Sequence, residues 1–141
     1  MNLETIFSIA NTVALIGWIL LIAAPRLVLT RTLVLSGALS LLLAMAYLII
    51  VVAFWGTAAG DFFSLAGVSK LFSSPPVLLA AWIHYLVFDL FVGSWEVRDA
   101  HERNVSHWLV VPCLLLTFIF GPIGFLAYHI VRTLAASGAK Q

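Results

Sequence analysis

From Leu33 to Trp55 the chain reads LVLSGALSLLLAMAYLIIVVAFW, and no charged side chain interrupts it. A helix needs about 20 predominantly apolar residues to cross the hydrocarbon of a bilayer. In water this run would have no polar face to present. In lipid a helix satisfies its own backbone hydrogen bonds, which an irregular segment cannot do. The run is therefore expected to span a membrane. The rest of the chain agrees, with 63% hydrophobic and 9% charged residues and a mean hydropathy of +1.13. Soluble domains are nearer half apolar and a quarter charged.

With 141 residues there is room for four such spans and short connections. The expected fold class is all-α, an integral membrane four-helix bundle in a single transmembrane domain over residues 1–141. The spans are expected at about 5–24, 33–55, 77–95 and 108–131. The first carries Glu4 and no basic segment before it, so it reads as a retained helix rather than a signal peptide. Ser36, Gly37, Ala38 and Ser40 are small and suit close helix contact in the second. Between spans two and three, Phe62, Leu65, Val68 and Phe72 recur at helical spacing, with Ser64 and Lys70 off the stripe. That pattern predicts a short amphipathic helix between Asp61 and Phe72, lying at the interface. Pro76 suits the first position of the next helix.

The third helix is expected to continue through EVRDAHER, where Asp99/Arg103 and Arg98/Glu102 stand four apart and allow ion pairs. Asn104 would end it and Ser106 would cap the fourth. In that fourth span FGPIGF contains Pro122, which lacks an amide hydrogen and crowds the carbonyl of Phe118. A kink or break follows, and it must face protein or water, not lipid. Arg26, Arg31, Arg98 and Arg103 fall on one side of this arrangement, against Lys70, Arg132 and Lys140 on the other. The positive-inside rule then places both termini outside.

Span three raises the functional question, because its WIHYLVFDLFVG carries His84 and Asp89. Ionisable groups inside membranes mark functional sites by default. The two lie about 140° apart around a helix, so each is expected to point into the bundle and meet a partner elsewhere. The partners open to them are His107, Thr117, Asn11 and the carbonyls freed by Pro122. His84, Phe88, Phe91 and Trp95 share one stripe, extended by Asp99; Trp82, Asp89 and Glu96 share another. Asp99 and His107 form a second candidate pair nearer the water. His101, His107, Glu96, Asp99 and Glu102 cluster at the helix end, but their spacing fits no strong metal motif, and no metal is assigned. Phe88, Phe91, Trp95 and Trp108 are helix-packing aromatics that would also suit an isoprenoid, beside Gly121 and Pro122. Lone Cys113, within an apolar run, carries no redox information. A formal net charge of +1 gives nucleic acid no partner surface. No phosphate loop, nucleophile elbow or dinucleotide fingerprint occurs, and no cofactor is named by any motif.

The segments LAGVSKLFSSPP, WIHYLVFDLFVGSWEVRDA, HW and FGPIGFLAYH resemble the small membrane proteins related to the plant abscisic-acid-deficient-four protein. The resemblance runs from about Gly60 to Tyr128, and the His-x4-Asp of span three and the Gly-Pro-x-Gly of span four are its most specific parts. It implies a lipid-embedded isomerase of carotenoids or related isoprenoids, associated with forming neoxanthin from violaxanthin. An epoxide opens, a neighbouring proton leaves, and an allene with a tertiary hydroxyl results, with no redox change. Asp89 would serve as the acid and His84 as the base. A plastid transit peptide is missing, so a bacterial member in the inner membrane, crossing it several times, is expected. The competing expectation is a non-catalytic small subunit that binds pigment, lipid or quinone. A chain this short is expected to need a second copy or a larger membrane complex to enclose a site. Membrane lipid is the expected surrounding.

Overall fold

A computed structural model of the protein describes residues 2–54 and 56–138. Six helices account for most of them: α1 (Leu3–Ala23), α2 (Val28–Phe54), α3 (Leu65–Phe72), α4 (Pro75–Glu102), α5 (His107–Phe120) and α6 (Pro122–Gly138). Three of these, α1, α2 and α4, are long and apolar enough to cross a membrane. That number marks a multi-pass membrane protein.

The centre of the molecule is α4, which packs against α1, α2 and α5. Two glycines set the α1–α4 distance. A Cβ on Gly17 would stand 2.9 Å from Leu90 Cδ1, and one on Gly93 would stand 2.7 Å from Trp18 Cη2. Both are too close, so the backbones approach through the hydrogens of these residues, as small residues allow in membrane helices. Trp18, Leu21, Ile83 and Leu90 fill the seam and are fully or almost fully buried.

The second span is not continuous, contrary to expectation. It begins at Val28, widens into a π-helical turn over Arg31–Leu35, and breaks at Ser36–Gly37 before the α-helix resumes at Ala38. Gly37 has φ +84° with open space around it. Its role is therefore conformational: it supplies a left-handed residue, not the close helix contact expected of it. α4 supports the break: Arg98 Nη1 donates to Leu35 O, and Ser94 Oγ, bonded mainly to Leu90 O of its own helix at 2.8 Å, lies 3.4 Å from Val34 O, which accepts from Gly37 N. This also explains why Arg98 does not pair with Glu102. Trp55, the expected end of the span, lies outside the described residues.

The amphipathic helix forms as α3, shorter than expected. Ser64 caps it by accepting from Gly67 N at 3.0 Å, and Asp61 Oδ1 accepts from Phe63 N and Ser64 N in the turn before it. Phe62, Phe63 and Leu65 project outward, Phe63 with 99% of its surface exposed. α4 then starts at Pro75, one residue before the expected Pro76, and runs unbroken through the expected extension to Glu102. Asn104 follows with φ +55°. Ser106 does stand at the N-cap of α5, but its side chain makes no capping bond.

The fourth span is absent as such. In its place stand α5, of 14 residues, and α6, of 17. Gly121 joins them with φ +46°, and the chain doubles back. Thr117, before the turn, bonds Glu96 of α4; Tyr128, after it, bonds Asp99 of the same helix. A straight helix would carry Tyr128 about 16 Å beyond Thr117. The reversal is tight because a Cβ on Gly124 would overlap the backbone of Thr117. Pro122 thus ends one helix and opens another, where its missing N–H costs nothing. The kink expected at this position is a full hairpin, whose tip at Gly121 reaches Asp89, halfway along α4.

Candidate functional site

Seven residues separate successive members of the stripe Trp82, Asp89 and Glu96 on α4, and each meets a different neighbour. Trp82 Nε1 donates to Asn11 Oδ1 of α1 at 3.1 Å. Glu96 is fully enclosed, and its Oε1 accepts from Thr117 Oγ1 at 2.9 Å. Asp89, between them, is half-buried against the hairpin tip. Its Oδ1 would be 2.8 Å from a Cβ on Gly121. Two buried carboxyl oxygens, Asp89 Oδ2 and Glu96 Oε2, have no hydrogen-bond partner among the described residues. Unpaired groups of this kind are rare in folded proteins.

Tyr85 stands one turn before Asp89, with its hydroxyl within hydrogen-bonding reach of the Asp89 carboxyl. Its hydroxyl lies 3.2 Å from Phe118 O and 3.3 Å from Ile119 O. These are carbonyls at the end of α5, and that of Phe118 is the one Pro122 deprives of a partner. The freed carbonyls were expected to meet His84 or Asp89; Tyr85 takes them instead. Around this spot Trp82, Phe118 and Phe120 are exposed and apolar.

Farther along α4 the hairpin is fastened. Asp99 accepts from Tyr128 Oη at 2.7 Å, from Arg103 Nε at 2.9 Å and from Arg132 Nη1 at 3.3 Å. The Asp99–Arg103 pair is the one read from spacing. Hydrogen bonding to Asp99, then its charge, pushes the Arg103 guanidinium above its ordinary pKa. Trp95 lies beneath this cluster, stacked on His129 at 5.4 Å between ring centres, with Phe125 beside it and Arg132 5.6 Å above its ring.

His84 contradicts the reading that placed it inside. It is exposed on the outer face of α4, with its ring against Tyr47 and Phe88. The stripe His84, Phe88, Phe91, Trp95, Asp99 exists, but the returning α6 covers only its lower half. His84, Phe88 and Phe91 stay exposed, while Trp95 and Asp99 are sheltered. Trp108 is 83% exposed at the start of α5. The four aromatics thus form no common slot. Asp99 and His107 do not pair either: His107 Nε2 donates to Ile22 O at 2.9 Å and pins the start of α5 to the end of α1. Gly121 is buried and Pro122 exposed, so the inner side of the break is the glycine. Among the described residues, no three His, Cys, Asp or Glu side chains stand together as a metal site would require.

Glu96, Tyr85 and Tyr128 are the polar groups that reading by type passed over or left in a solvated cluster. The signal for Glu96 was its place on the Asp89 stripe. Tyr85 and Tyr128 gave none, because a tyrosine among aromatics reads as packing.

No solved structure matches the chain. Protein ABA DEFICIENT 4, chloroplastic, from Arabidopsis thaliana is 26% identical over an alignment of 140 residues that covers 93% of this chain and 62% of that protein. The chain thus spans less than two thirds of its plant relative. Residues 5–128 match the family described as ABA DEFICIENT 4-like. α4, α5, the glycine tip and the first part of α6 through Tyr128 fall within that stretch, and the chain belongs to the ABA DEFICIENT 4-like family.

Proposed function

We propose that the protein is a lipid-embedded isomerase acting on a carotenoid or related isoprenoid, with Asp89 as its proton-transferring group. The observation that carries this is the contrast between two aspartates on one helix. Asp99 is saturated by a tyrosine and two arginines. Asp89 is half-buried at the middle of α4, with one oxygen unpaired and apolar side chains around it. A structural carboxyl is expected to be fully bonded, since a buried polar group without a partner is penalised by roughly 2–7 kcal/mol. A reactive one must keep capacity free for its substrate.

An epoxide-opening isomerisation needs one proton delivered to oxygen as a C–O bond breaks. It needs another taken from the adjacent carbon, whose electron pair becomes the new C=C bond. The atoms balance without a redox partner. Asp89 serves one of these transfers at a site open to lipid, where a polyene would lie along the exposed aromatics. Tyr85 holds the hairpin tip beside it. Glu96, about 10 Å farther along the helix, also keeps one oxygen unpaired among the described residues, but it is fully enclosed and so does not touch substrate. His84, on another face, takes no part. The setting is a bacterial inner membrane, with α1, α2 and α4 crossing it, the hairpin entering from one side and α3 lying at the opposite interface.

The test is expression in a host that accumulates violaxanthin, with pigments separated by chromatography. A new allenic isomer is expected with the wild type and with His84→Ala, and none with Asp89→Asn, while all three insert and purify equally. If Asp89→Asn converts pigment like the wild type, or if no isomer forms at all, a pigment- or lipid-binding subunit replaces this reading.

A further inference from the structure

Two adjoining cavities lie at the end of the molecule where α1 meets α2 and α4 meets α5. The larger, about 720 Å³, is lined by Pro25, Arg26, Asn104, Ser106, His107 and Trp108 among others. The smaller, about 170 Å³, adds Arg31 and Arg98 and shares Arg26, His101 and His107 with the first. Three guanidinium and two imidazole side chains thus surround a concave space, with Glu102 the only acid in either lining. Arg26 and Arg31 are exposed and form no ion pair among the described residues. Beside this basic hollow the surface turns abruptly apolar: Leu27, Val28, Leu29 and Trp108 are all exposed, Val28 to 75%.

The geometry points to a binding site for the phosphate headgroup of an anionic phospholipid, its acyl chains lying along Leu27–Leu29 and Trp108. Arginine suits phosphate because its planar fork gives two parallel donors to adjacent oxygens. Basic pockets between membrane helices on the cytoplasmic side hold anionic headgroups. The hairpin places this end on that side. By returning α6 toward the end of α4, it brings Arg132 to the same end as Arg26, Arg31, Arg98 and Arg103, while Lys70 lies at the other. Five described cations against one is a strong inward bias under the positive-inside rule. Free inorganic phosphate shares the charge chemistry but has no use for the apolar apron, so the lipid is the occupant. The site is remote from Asp89 and stands whether or not the isomerase reading does.

Native mass spectrometry of the purified full chain tests it. Phosphatidylglycerol and phosphatidylcholine of identical acyl chains are offered in turn, with and without millimolar inorganic phosphate. Retention of phosphatidylglycerol over phosphatidylcholine is expected, undiminished by phosphate. Arg26→Gln and Arg31→Gln should each weaken it about fivefold, as the contribution of one basic residue near an anionic surface implies. Glu102→Gln should tighten it, which no merely structural role for that residue would produce, and Lys70→Gln at the far end should leave it unchanged. Equal retention of both lipids, displacement by free phosphate, or an unchanged affinity in the arginine variants with native melting behaviour would overturn the proposal.

Discussion

Asp89 and Asp99 share a helix and a residue type, yet their neighbours give them opposite chemistry. The difference lies in what α6 brings back. Its Tyr128 and Arg132 reach Asp99, while only the turn at Gly121 reaches Asp89. Gly121 is accordingly closed to substitution on two counts. Its φ of +46° would strain any side chain, by about 1–3 kcal/mol, and a Cβ there would press on the Asp89 carboxylate. Gly121→Ala is expected to lower the melting temperature in detergent and to disturb Asp89 at once. A melting point equal to the wild type would show that the tip tolerates a Cβ. Gly93→Ala tests a different kind of glycine, in an ordinary helix but against Trp18. Overpacking of this sort costs about 1–3 kcal/mol, and the loss should shrink when Trp18→Phe is added. In sequence Gly93 gave no sign of this, and Gly121 was marked only as a flank of the break at Pro122.

At the scale of elements, the hairpin α5–α6 depends on its clasp to α4. Asp99 holds α6 through Tyr128 and Arg132, and Trp95 packs under His129 and Phe125. Hydrogen bonds to charged groups are worth about 1.5–3 kcal/mol. Asp99→Asn should therefore destabilise the protein by about that amount. Tyr128→Phe combined with Asp99→Asn should cost less than the sum of the two single changes, because they remove one shared bond. Strict additivity in thermal or denaturant unfolding would show that the clasp does not exist. Spacing did reveal the local half of this cluster, the Asp99–Arg103 pair one turn apart. It could not reveal Tyr128 and Arg132, which approach only because the chain reverses. The break in α2 has the same logic. Ser36–Gly37 interrupts an apolar run that reads as one helix, and Ser94 and Arg98 of another helix make the interruption tolerable.

For the molecule as a whole, the reversal changes the parity of the membrane crossings. Four spans would leave both ends of the chain on one side; three spans and an inserted hairpin leave them on opposite sides. Fusing a fluorescent protein that matures only in the cytoplasm to the C-terminus should give a bright inner-membrane signal in bacteria, and the same fusion at the N-terminus should be dark. Equal brightness at both ends would restore the four-span arrangement.

Composition and the length of the uncharged runs were enough to determine that this chain is all-helical and membrane-embedded. Lipid leaves a backbone few alternatives, so hydrophobicity alone carries that information. That α4 is its centre is a matter of packing. The break at Pro122 and the freed carbonyl of Phe118 were legible too, because a proline's missing donor is a covalent fact. What the proline becomes was not. Kink and hairpin satisfy the same local chemistry, and the choice rests on contacts made far along the chain: Gly124 against Thr117, Tyr128 and Arg132 on Asp99. The same choice decided the site. A helix wheel ranks His84 and Asp89 equally, as polar groups in an apolar span. Only the returning hairpin, by covering one face of α4 and turning at Gly121, leaves His84 outside and gives Asp89 a half-buried place against its tip.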